Sequence, residues 1–282
     1  MRKVISFILL IIITICFVFI YARFVEPNLL TVRYENISSN FLNENVKKLK
    51  VLQFSDTHLS SHFNENDLIK AVDRINDEKP HIVVFNGDLI DEFNKYENKD
   101  SIYKIWEILN TIEAPLGKYA VYGNHDYGGG AERVYEQIMI NSGFALLKNE
   151  NIFLKDYNIN IIGMDDSIFG NYDRESVVEM LYEDSYNIVL SHEPDVISFL
   201  LEYNIDLFLS GHSHGGQINL PFINSLPLLA KKYTRGLYSF ENYRQTNLYV
   251  NIGLGTSQIP MRFMAPPELS IIILNREQWT DK

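Results

Sequence analysis

Five of the seven histidines in this chain stand in short polar clusters, and each cluster directly follows an apolar run. The clusters also contain aspartate and asparagine but no thiolate, because the single cysteine, Cys16, lies near the amino terminus. Imidazole and oxygen ligands together suit divalent Mn, Fe or Zn. The sequence therefore predicts metal-dependent chemistry. The residues of the clusters with suitable side chains are Asp56, His58, Asp88, Asp91, Asn124, His125, His192, His212 and His214.

The spacing within the clusters favours two ions rather than one. Asp56 and His58 are two residues apart on a segment that leaves a predicted strand, so both side chains can point to one ion. His212 and His214 repeat that spacing. A carboxylate such as that of Asp88 has two oxygens and can bridge two ions about 3.5–4 Å apart, with a hydroxide nucleophile between them.

The elements that must position these residues follow an alternating pattern of strands and helices. This alternation predicts an α/β layered domain with large central sheets. Strands that carry polar clusters at their carboxyl ends build a site along one sheet edge. The predicted strands are residues 49–54, 81–86, 118–122, 159–164, 186–190, 205–209, 248–252 and 269–274. The predicted helices are residues 67–78, 101–112, 132–142, 174–183 and 194–203.

The ordered motifs D-x-H, G-D-x-x-D, G-N-H-D, a lone histidine and G-H-x-H closely resemble those of the calcineurin-like metallophosphoesterases. All five motifs occur in the family's order between Asp56 and His214, over more than half of the chain. The resemblance implies a four-layer α/β/β/α fold, two β-sheets packed face to face and flanked by helices. It also implies hydrolysis of a phosphoester or pyrophosphate bond by attack of a hydroxide that bridges two metal ions.

The resemblance further implies a role for each motif residue. His125 would protonate the leaving oxygen or stabilise charge on the phosphoryl group, and Asp91 would orient its imidazole. Two divalent ions are expected, with Mn favoured and Fe or Zn as alternatives, because these metals share the same ligands. One ion would be held by Asp56, His58, Asp88 and His214, and the other by Asp88, Asn124, His192 and His212.

Asp126, the last residue of the G-N-H-D motif, has two interpretations. Its carboxylate can cap the segment that follows, which is a structural role. It can also accept a hydrogen bond from a group beside the metal ions. The sequence favours the structural interpretation without excluding the other.

The amino-terminal segment predicts a transmembrane anchor. Residues 4–22 carry no charge, and as a helix they would span roughly 28 Å, close to the thickness of the bilayer core. A cleaved signal peptide is the alternative. Arg2 and Lys3 favour a cytoplasmic amino terminus and a catalytic domain outside the cytoplasm. We expect an anchor at residues 1–25, a juxtamembrane linker running into a first edge strand at 26–46, and one catalytic domain at 47–282.

An apolar loop with two prolines, residues 218–236, follows the last histidine motif and ends in Lys231, Lys232 and Arg235. It is either a packed loop with a solvated basic end, or a loop that faces the membrane or binds acyl chains, with its cations on substrate phosphates. The motif G-H-x-H-G-G-Q followed by such a loop is similar to the membrane-associated bacterial branch of the family, which includes YkuE-like proteins and UDP-diacylglucosamine pyrophosphohydrolases. This likeness favours the second interpretation.

The net charge narrows the class of substrate. With 25 Lys and Arg against 36 Asp and Glu the formal charge is −11, which argues against binding a nucleic-acid polymer. No motif implies a protein partner. The sequence predicts a membrane-anchored phosphoesterase acting on a lipid-linked substrate. The alternatives are a tethered phosphodiesterase or phosphatase for soluble nucleotides and, from another class, a non-catalytic scaffold with this fold.

Overall fold

The computed structural model describes residues 1–44, 46–96, 102–219 and 230–277. Within these residues the strands form two six-stranded sheets. The strands are β1 Thr31–Ser39, β2 Leu49–Phe54, β3 Ile82–Phe85, β4 Lys118–Ala120, β5 Phe144–Leu146, β6 Glu150–Leu154, β7 Ile159–Gly163, β8 Tyr186–Leu190, β9 Leu207–Ser210, β10 Gly236–Ser239, β11 Asn247–Val250 and β12 Glu268–Arg276.

Each sheet has a parallel centre. The first sheet has the order β1-β12-β2-β3-β4-β5, in which β2 to β5 run parallel and β12 runs antiparallel to β2. The second has the order β10-β11-β9-β8-β7-β6, with antiparallel strands only at its two edges. The carboxyl ends of the central parallel strands in each sheet therefore lie along one edge.

The side chains of β3 show how the layers stack. All four of its residues are buried. Ile82 and Val84 belong to the core between the two sheets, whereas Val83 and Phe85 belong to the core beneath the helices. Because side chains alternate along a strand, a strand buried on both faces must lie in an inner layer. The fold is therefore a four-layer α/β/β/α arrangement, as the family resemblance implies.

The outer layers consist of short amphipathic helices. On the first sheet, α2 buries Leu68, Ala71, Val72 and Ile75 at helical spacing. It begins at a capping box in which Asn64 accepts a hydrogen bond from Asn66 N at 2.9 Å. The α-helices are α1 Arg2–Ile20, α2 Glu65–Glu78, α3 Ile102–Asn110, α4 Asn124–Tyr127, α5 Glu132–Asn141 and α6 Arg174–Glu179.

The helix predicted for residues 194–203 is instead a 3-10 helix, Pro194–Phe199. Its apolar face is nevertheless the predicted one, because Val196, Ile197 and Leu200 pack into the core of the second sheet. A spacing of three residues places side chains on one face of either helix type. Periodicity could therefore identify the buried face but not the hydrogen-bond pattern.

The predicted linker, residues 26–46, contains the nine-residue strand β1 at the edge of the first sheet. Before it, α1 continues through a π-helical turn, Tyr21–Val25, and a 3-10 turn, Glu26–Asn28. No residue of α1 is buried. This amino-terminal helix is long and apolar enough to cross a membrane. Length and composition allow it to be either an anchor or a signal sequence.

Candidate metal centre

The predicted metal ligands follow the carboxyl ends of four neighbouring strands, two from each sheet, except Asn124. Asn124 and His125 are the first two residues of α4, the short helix after β4. Asp56 and His58 follow β2, Asp88 follows β3, and the remaining histidine clusters follow β8 and β9. Buried amides join the two sheets at this edge. Gln53 Nε2 donates to Ser210 O at 2.8 Å, and Asn86 Nδ2 donates to Leu209 O at 2.8 Å. The clusters of both sheets therefore converge.

One group of candidate ligands consists of Asp56, His58 and His214, all buried. The Nε2 atoms of His58 and His214 are 3.0 Å apart. Asp56 Oδ1 lies 3.5 Å from His214 Nε2 and 3.9 Å from His58 Nε2. One carboxylate oxygen and two imidazole nitrogens thus face a common point, as a divalent ion with oxygen and nitrogen ligands requires.

A second group consists of Asp88, His192 and His212. His192 Nε2 lies 3.2 Å from Asp88 Oδ2. His212 Nδ1 lies 3.1 Å from the side-chain oxygen of Asn124, the fourth residue predicted for this ion. The structure therefore brings together the members of both predicted ligand sets.

Asp88 links the two groups. Its Oδ2 atom lies 3.4 Å from His58 Nε2 as well as 3.2 Å from His192 Nε2. Burial by itself would raise the pKa of the Asp88 carboxyl, but the imidazoles of His192, His58 and His125 outweigh burial and hold that pKa well below its ordinary value. The carboxylate is therefore ionised, which is the form that can bridge two cations.

The hydrogen bonds of the histidines leave coordinating nitrogens directed inward. His192 Nδ1 donates to Asn86 O at 2.6 Å, so Nε2 is the ring nitrogen that faces the centre. Burial lowers the pKa of His192, but the Asp88 carboxylate raises it by more, so the net shift is well upward and an ion would displace the Nε2 proton. That Nε2 atom is buried and has no hydrogen-bond partner among the described residues. Burial and the facing His58 lower the pKa of His214 well below its ordinary value, which keeps its imidazole neutral. The donor set thus fits divalent cations of the kind that imidazole and carboxylate bind.

Five of the candidate ligands have a left-handed backbone. The φ angles of Asp56, His58, Asp88, His212 and His214 are 49°, 42°, 60°, 68° and 49°. Residues with a Cβ rarely adopt this region, and each instance costs about 1 kcal/mol or more. Such strain persists only where the surrounding structure enforces it, and here it turns successive side chains of D-x-H and G-H-x-H toward the centre.

His125 contacts the centre from one side. Its backbone N donates to Asp88 Oδ1 at 2.8 Å, and its ring lies at 4.7 Å from that of His58. Burial lowers the pKa of His125, but the Asp88 carboxylate and the Asp91 carbonyl raise it by more, so the net shift is upward. A histidine with a raised pKa holds a proton that it can donate.

Asp91 contacts His125 mainly through its backbone carbonyl. Its backbone carbonyl accepts a hydrogen bond from His125 Nδ1 at 2.7 Å, whereas its carboxylate is 3.5 Å from that atom. The carboxylate lies closer to His58 Nδ1, at 3.0 Å. Asp91 therefore contacts two histidines at once, and its side chain mainly orients His58, a candidate metal ligand.

The carboxylate of Asp126 both caps the segment that follows and accepts a hydrogen bond from the candidate ligand Asp88. It is fully buried and accepts hydrogen bonds from the backbone N–H groups of Asp88 and Gly123, both at 2.8 Å, and of Leu89 at 3.0 Å. Burial and the nearby Asp88 carboxylate raise the pKa of Asp126 to about 7. These bonds fix the loop after β3 against the start of α4.

The three cations predicted for substrate binding lie in two places. Lys231 and Lys232 are exposed, and their backbone N–H groups donate to the Asp195 carboxylate. Arg235 donates to Gly215 O and, at 3.0 Å, to Met264 O, so its guanidinium contacts the residue after His214. Residues 220–229 of the predicted apolar loop lie outside the described residues.

The sequence did not reveal two residues that support the centre. Asn86 binds His192 through its carbonyl and joins the sheets through its amide, and its position directly before the G-D-x-x-D motif could have indicated it. Arg262 is fully buried and donates to the carbonyls of Ile252 and Gly255 at 3.0 and 2.9 Å. No motif surrounds Arg262, so only the fold identifies it.

Comparison with known proteins finds a matching family and similar sequences. The model of the family described as calcineurin-like phosphoesterase matches residues 49–216. The metallophosphoesterase YkuE of Bacillus subtilis is 38% identical over 259 residues, which cover 90% of this chain and 88% of YkuE. A protein of Chlamydia muridarum named UDP-2,3-diacylglucosamine pyrophosphatase LpxG is 30% identical, over 90% of this chain and 92% of its own length.

A solved structure of a dimetal phosphatase from Danio rerio aligns with 76% of this chain and 90% of its own, with a TM-score of 0.48 and 12% sequence identity.

Proposed function

Because the chain belongs to the calcineurin-like phosphoesterase family, we propose that it hydrolyses a phosphoester or pyrophosphate bond of a lipid-linked substrate at a membrane. Family membership makes the chain a hydrolase of phosphoester bonds. The lipid-linked substrate, the pair of divalent ions and the membrane anchor form the proposal. The main observation behind the hydrolysis that we propose is the position of Asp88, whose carboxylate reaches both groups of candidate ligands and so supports a pair of ions.

We assign one ion to Asp56, His58, Asp88 and His214, and the other to Asp88, Asn124, His192 and His212. When bound, two divalent ions of the Mn, Fe or Zn type supply an activated water and positive charge beside the phosphoryl oxygens. The chain contributes the rest of the chemistry. His125 Nδ1 donates to the Asp91 carbonyl, so its Nε2 is available to deliver a proton to the leaving oxygen.

The amino-terminal helix supports a substrate in the membrane. In the proposed topology, residues 1–25 anchor the chain, residues 26–46 include the edge strand β1, and residues 47–282 form the catalytic domain outside the cytoplasm. The positive charges of Arg2 and Lys3 before the apolar span favour that orientation. The name of the relative LpxG refers to a substrate with two acyl chains, and a tethered enzyme would meet such a substrate in the bilayer.

Lys231, Lys232 and Arg235 are proposed to meet the phosphate groups of the substrate. Arg235 supports this assignment because it contacts Gly215, directly after the candidate ligand His214. Lys231 and Lys232 are exposed cations on the same basic segment. Arginine and lysine both bind phosphate through charge-assisted hydrogen bonds.

The test uses the full chain in lipid nanodiscs, reconstituted separately with Mn, Fe and Zn. The substrates are a diacylated sugar pyrophosphate, a phospholipid, a nucleoside monophosphate and soluble bis(p-nitrophenyl) phosphate. We expect metal-dependent turnover with preference for a lipid substrate, and loss of turnover after chelation. Preference for the nucleotide would indicate the tethered soluble-substrate enzyme. No turnover of any substrate by protein that retains two ions would indicate the scaffold and overturn the proposal.

A further inference from the structure

The loop between β11 and β12 carries exposed apolar side chains beside the end of the amino-terminal helix. We call residues 256–265 the rim loop. Ile259 and Met264 in this loop are 46% and 55% exposed. Single exposed apolar residues are common on soluble proteins. The position of these two, next to the segment that leaves the apolar helix, gives them a specific environment.

Three contacts hold the rim loop against the end of the helix. Arg262 N donates to Ala22 O at 2.9 Å, and Ala265 N donates to the Glu26 carboxylate at 2.6 Å. The rings of Tyr21 and Phe263 meet edge to face with centroids 6.4 Å apart. The rim loop therefore lies level with residues 21–26, whatever the depth of those residues in a bilayer.

The depth of residues 21–26 follows from the length of the apolar span. Residues 4–22 as a helix cover roughly 28 Å, the thickness of a bilayer core. The chain therefore leaves the hydrocarbon near Tyr21 and enters the interfacial layer, where aromatic side chains concentrate. Phe24 and Val25, which are 60% and 42% exposed, continue the exposed apolar side chains past the end of α1.

The rim loop is also hydrogen-bonded to residues that lie next to the metal centre. Phe263 N donates to Gln217 O at 2.9 Å, and Gln217 Nε2 donates to Ile259 O at 2.7 Å. Gln217 follows the candidate ligand His214 by three residues. Arg262 binds Gly255 O, and Gly255 N donates to Asp56 O at 2.7 Å. The same loop therefore connects the end of the helix to the backbone around two candidate ligands.

We propose that the rim loop is a second membrane contact, in which Ile259 and Met264 lie in the interfacial layer of the bilayer that holds α1. The occupant of this surface is lipid rather than a protein, because the rim loop is bonded directly to the end of the exposed apolar helix that the bilayer would surround. The contact would hold the side of the metal centre near His214 against the lipid headgroups. This inference rests on the proposed anchor and concerns how the centre is presented to the membrane.

The test labels the full chain with an environment-sensitive fluorophore in vesicles of phosphatidylcholine and phosphatidylglycerol. Cys16 is the single native cysteine, so Cys16→Ser allows one label at Met264→Cys or, independently, at Ile259→Cys. Tyr243→Cys is the matched control. Tyr243 is 84% exposed and lines a cavity with Ser38 and Ser39, at the end of β1 away from the helix. Eight residue steps of strand separate the two ends of β1, or roughly 26 Å.

We expect labels at positions 259 and 264 to show blue-shifted emission and loss of fluorescence when lipids carry a doxyl quencher, and the label at 243 to show neither. Equal quenching of all three labels by aqueous iodide would overturn the inference. Hydrolysis of bis(p-nitrophenyl) phosphate by the same preparations separates it from the proposed function. Turnover with an aqueous label at 264 rejects the membrane contact alone, whereas a lipid-quenched label without any turnover supports the contact and rejects the function.

Discussion

The Nε2 atoms of His58 and His214 lie 3.0 Å apart, although 156 residues separate the two histidines in the chain. Two nitrogens that each lie about 2.1 Å from one ion would be about 3.0 Å apart at right angles and about 3.4 Å apart at tetrahedral angles. The observed distance falls in that range. The two sheets thus bring their histidine motifs to the spacing that a single ion needs.

Replacement of Asp88 by asparagine should weaken the binding of both ions, because its carboxylate lies 3.4 Å from His58 Nε2 and 3.2 Å from His192 Nε2 and so reaches both groups of candidate ligands. Asparagine keeps the size of the side chain but removes the negative charge and one acceptor oxygen. We expect Asp88→Asn to retain less metal than the wild-type chain after dialysis, measured by elemental analysis, and to lose turnover.

Asp206→Asn is the matched control for this variant. Asp206 is a buried carboxylate that pairs with Arg244 at 3.1 Å, outside the candidate ligands. Its metal content should equal that of the wild type. Unchanged metal content in Asp88→Asn would contradict the assignment of Asp88 as the shared ligand.

Loss of the His125 imidazole should slow turnover without removing metal. A general acid contributes about 10²–10⁴-fold to rate, and most when the leaving group is a poor one. We therefore expect His125→Ala to lose about that factor on an alkyl phosphoester, and much less on a p-nitrophenyl ester, whose leaving oxygen needs no proton. The measurement is turnover of both esters together with metal content.

Because His125 also lies within reach of His58 and Asp88 as a possible ligand, metal content decides between the two roles. Loss of metal from His125→Ala would make it a ligand rather than the acid. An equal loss of rate on both esters would also argue against the acid role.

The side chain of Asp91 should influence metal affinity more than proton transfer. Its carboxylate lies 3.0 Å from His58 Nδ1, while His125 is bonded to its backbone carbonyl, which substitution leaves in place. We expect Asp91→Ala to weaken metal affinity about 10–100-fold, as loss of a partner behind a metal ligand does. Titration with metal and the pH profile of turnover provide the measurements.

Asp91→Asn keeps an acceptor oxygen for His58 and should weaken metal affinity less than Asp91→Ala. If Asp91→Ala instead shifts the pH profile at saturating metal and leaves metal affinity unchanged, then the carboxylate acts on His125 rather than on His58.

Removal of the Asp126 carboxylate should reduce the stability of the fold. Asp126→Ala leaves three buried backbone N–H groups without an acceptor, those of Asp88, Leu89 and Gly123. Each unpaired group costs about 1–3 kcal/mol, so we expect a loss of roughly 3 kcal/mol or more after partial relaxation. Chemical unfolding of the metal-free chain in detergent micelles measures this change.

Asp67→Ala is the control for stability. Asp67 accepts one bond from Asn64 N in the capping box of α2 and is partly exposed, so its loss should cost about 1 kcal/mol. Equal stability of the two variants would show that the bonds of Asp126 contribute no more than an ordinary helix cap.

The sequence by itself determined the family, the inner strands of both sheets and the residues that gather at their edge, but not the edge strands β5, β6 and β10. Short-range patterns carry this information, because a buried strand such as Ile82–Phe85 is a continuous apolar run and the motif after it has a fixed spacing. The membrane-length helix is equally local, since span length follows from residue count.

Only the tertiary structure decided how these residues act on one another. It placed Asp88 between His58 and His192, gave five candidate ligands a left-handed backbone, and directed the Asp91 carboxylate to His58. It also joined Arg262 to the end of the amino-terminal helix. These contacts connect residues far apart in the chain or depend on backbone angles that packing enforces. Local propensity and periodicity contain neither kind of information.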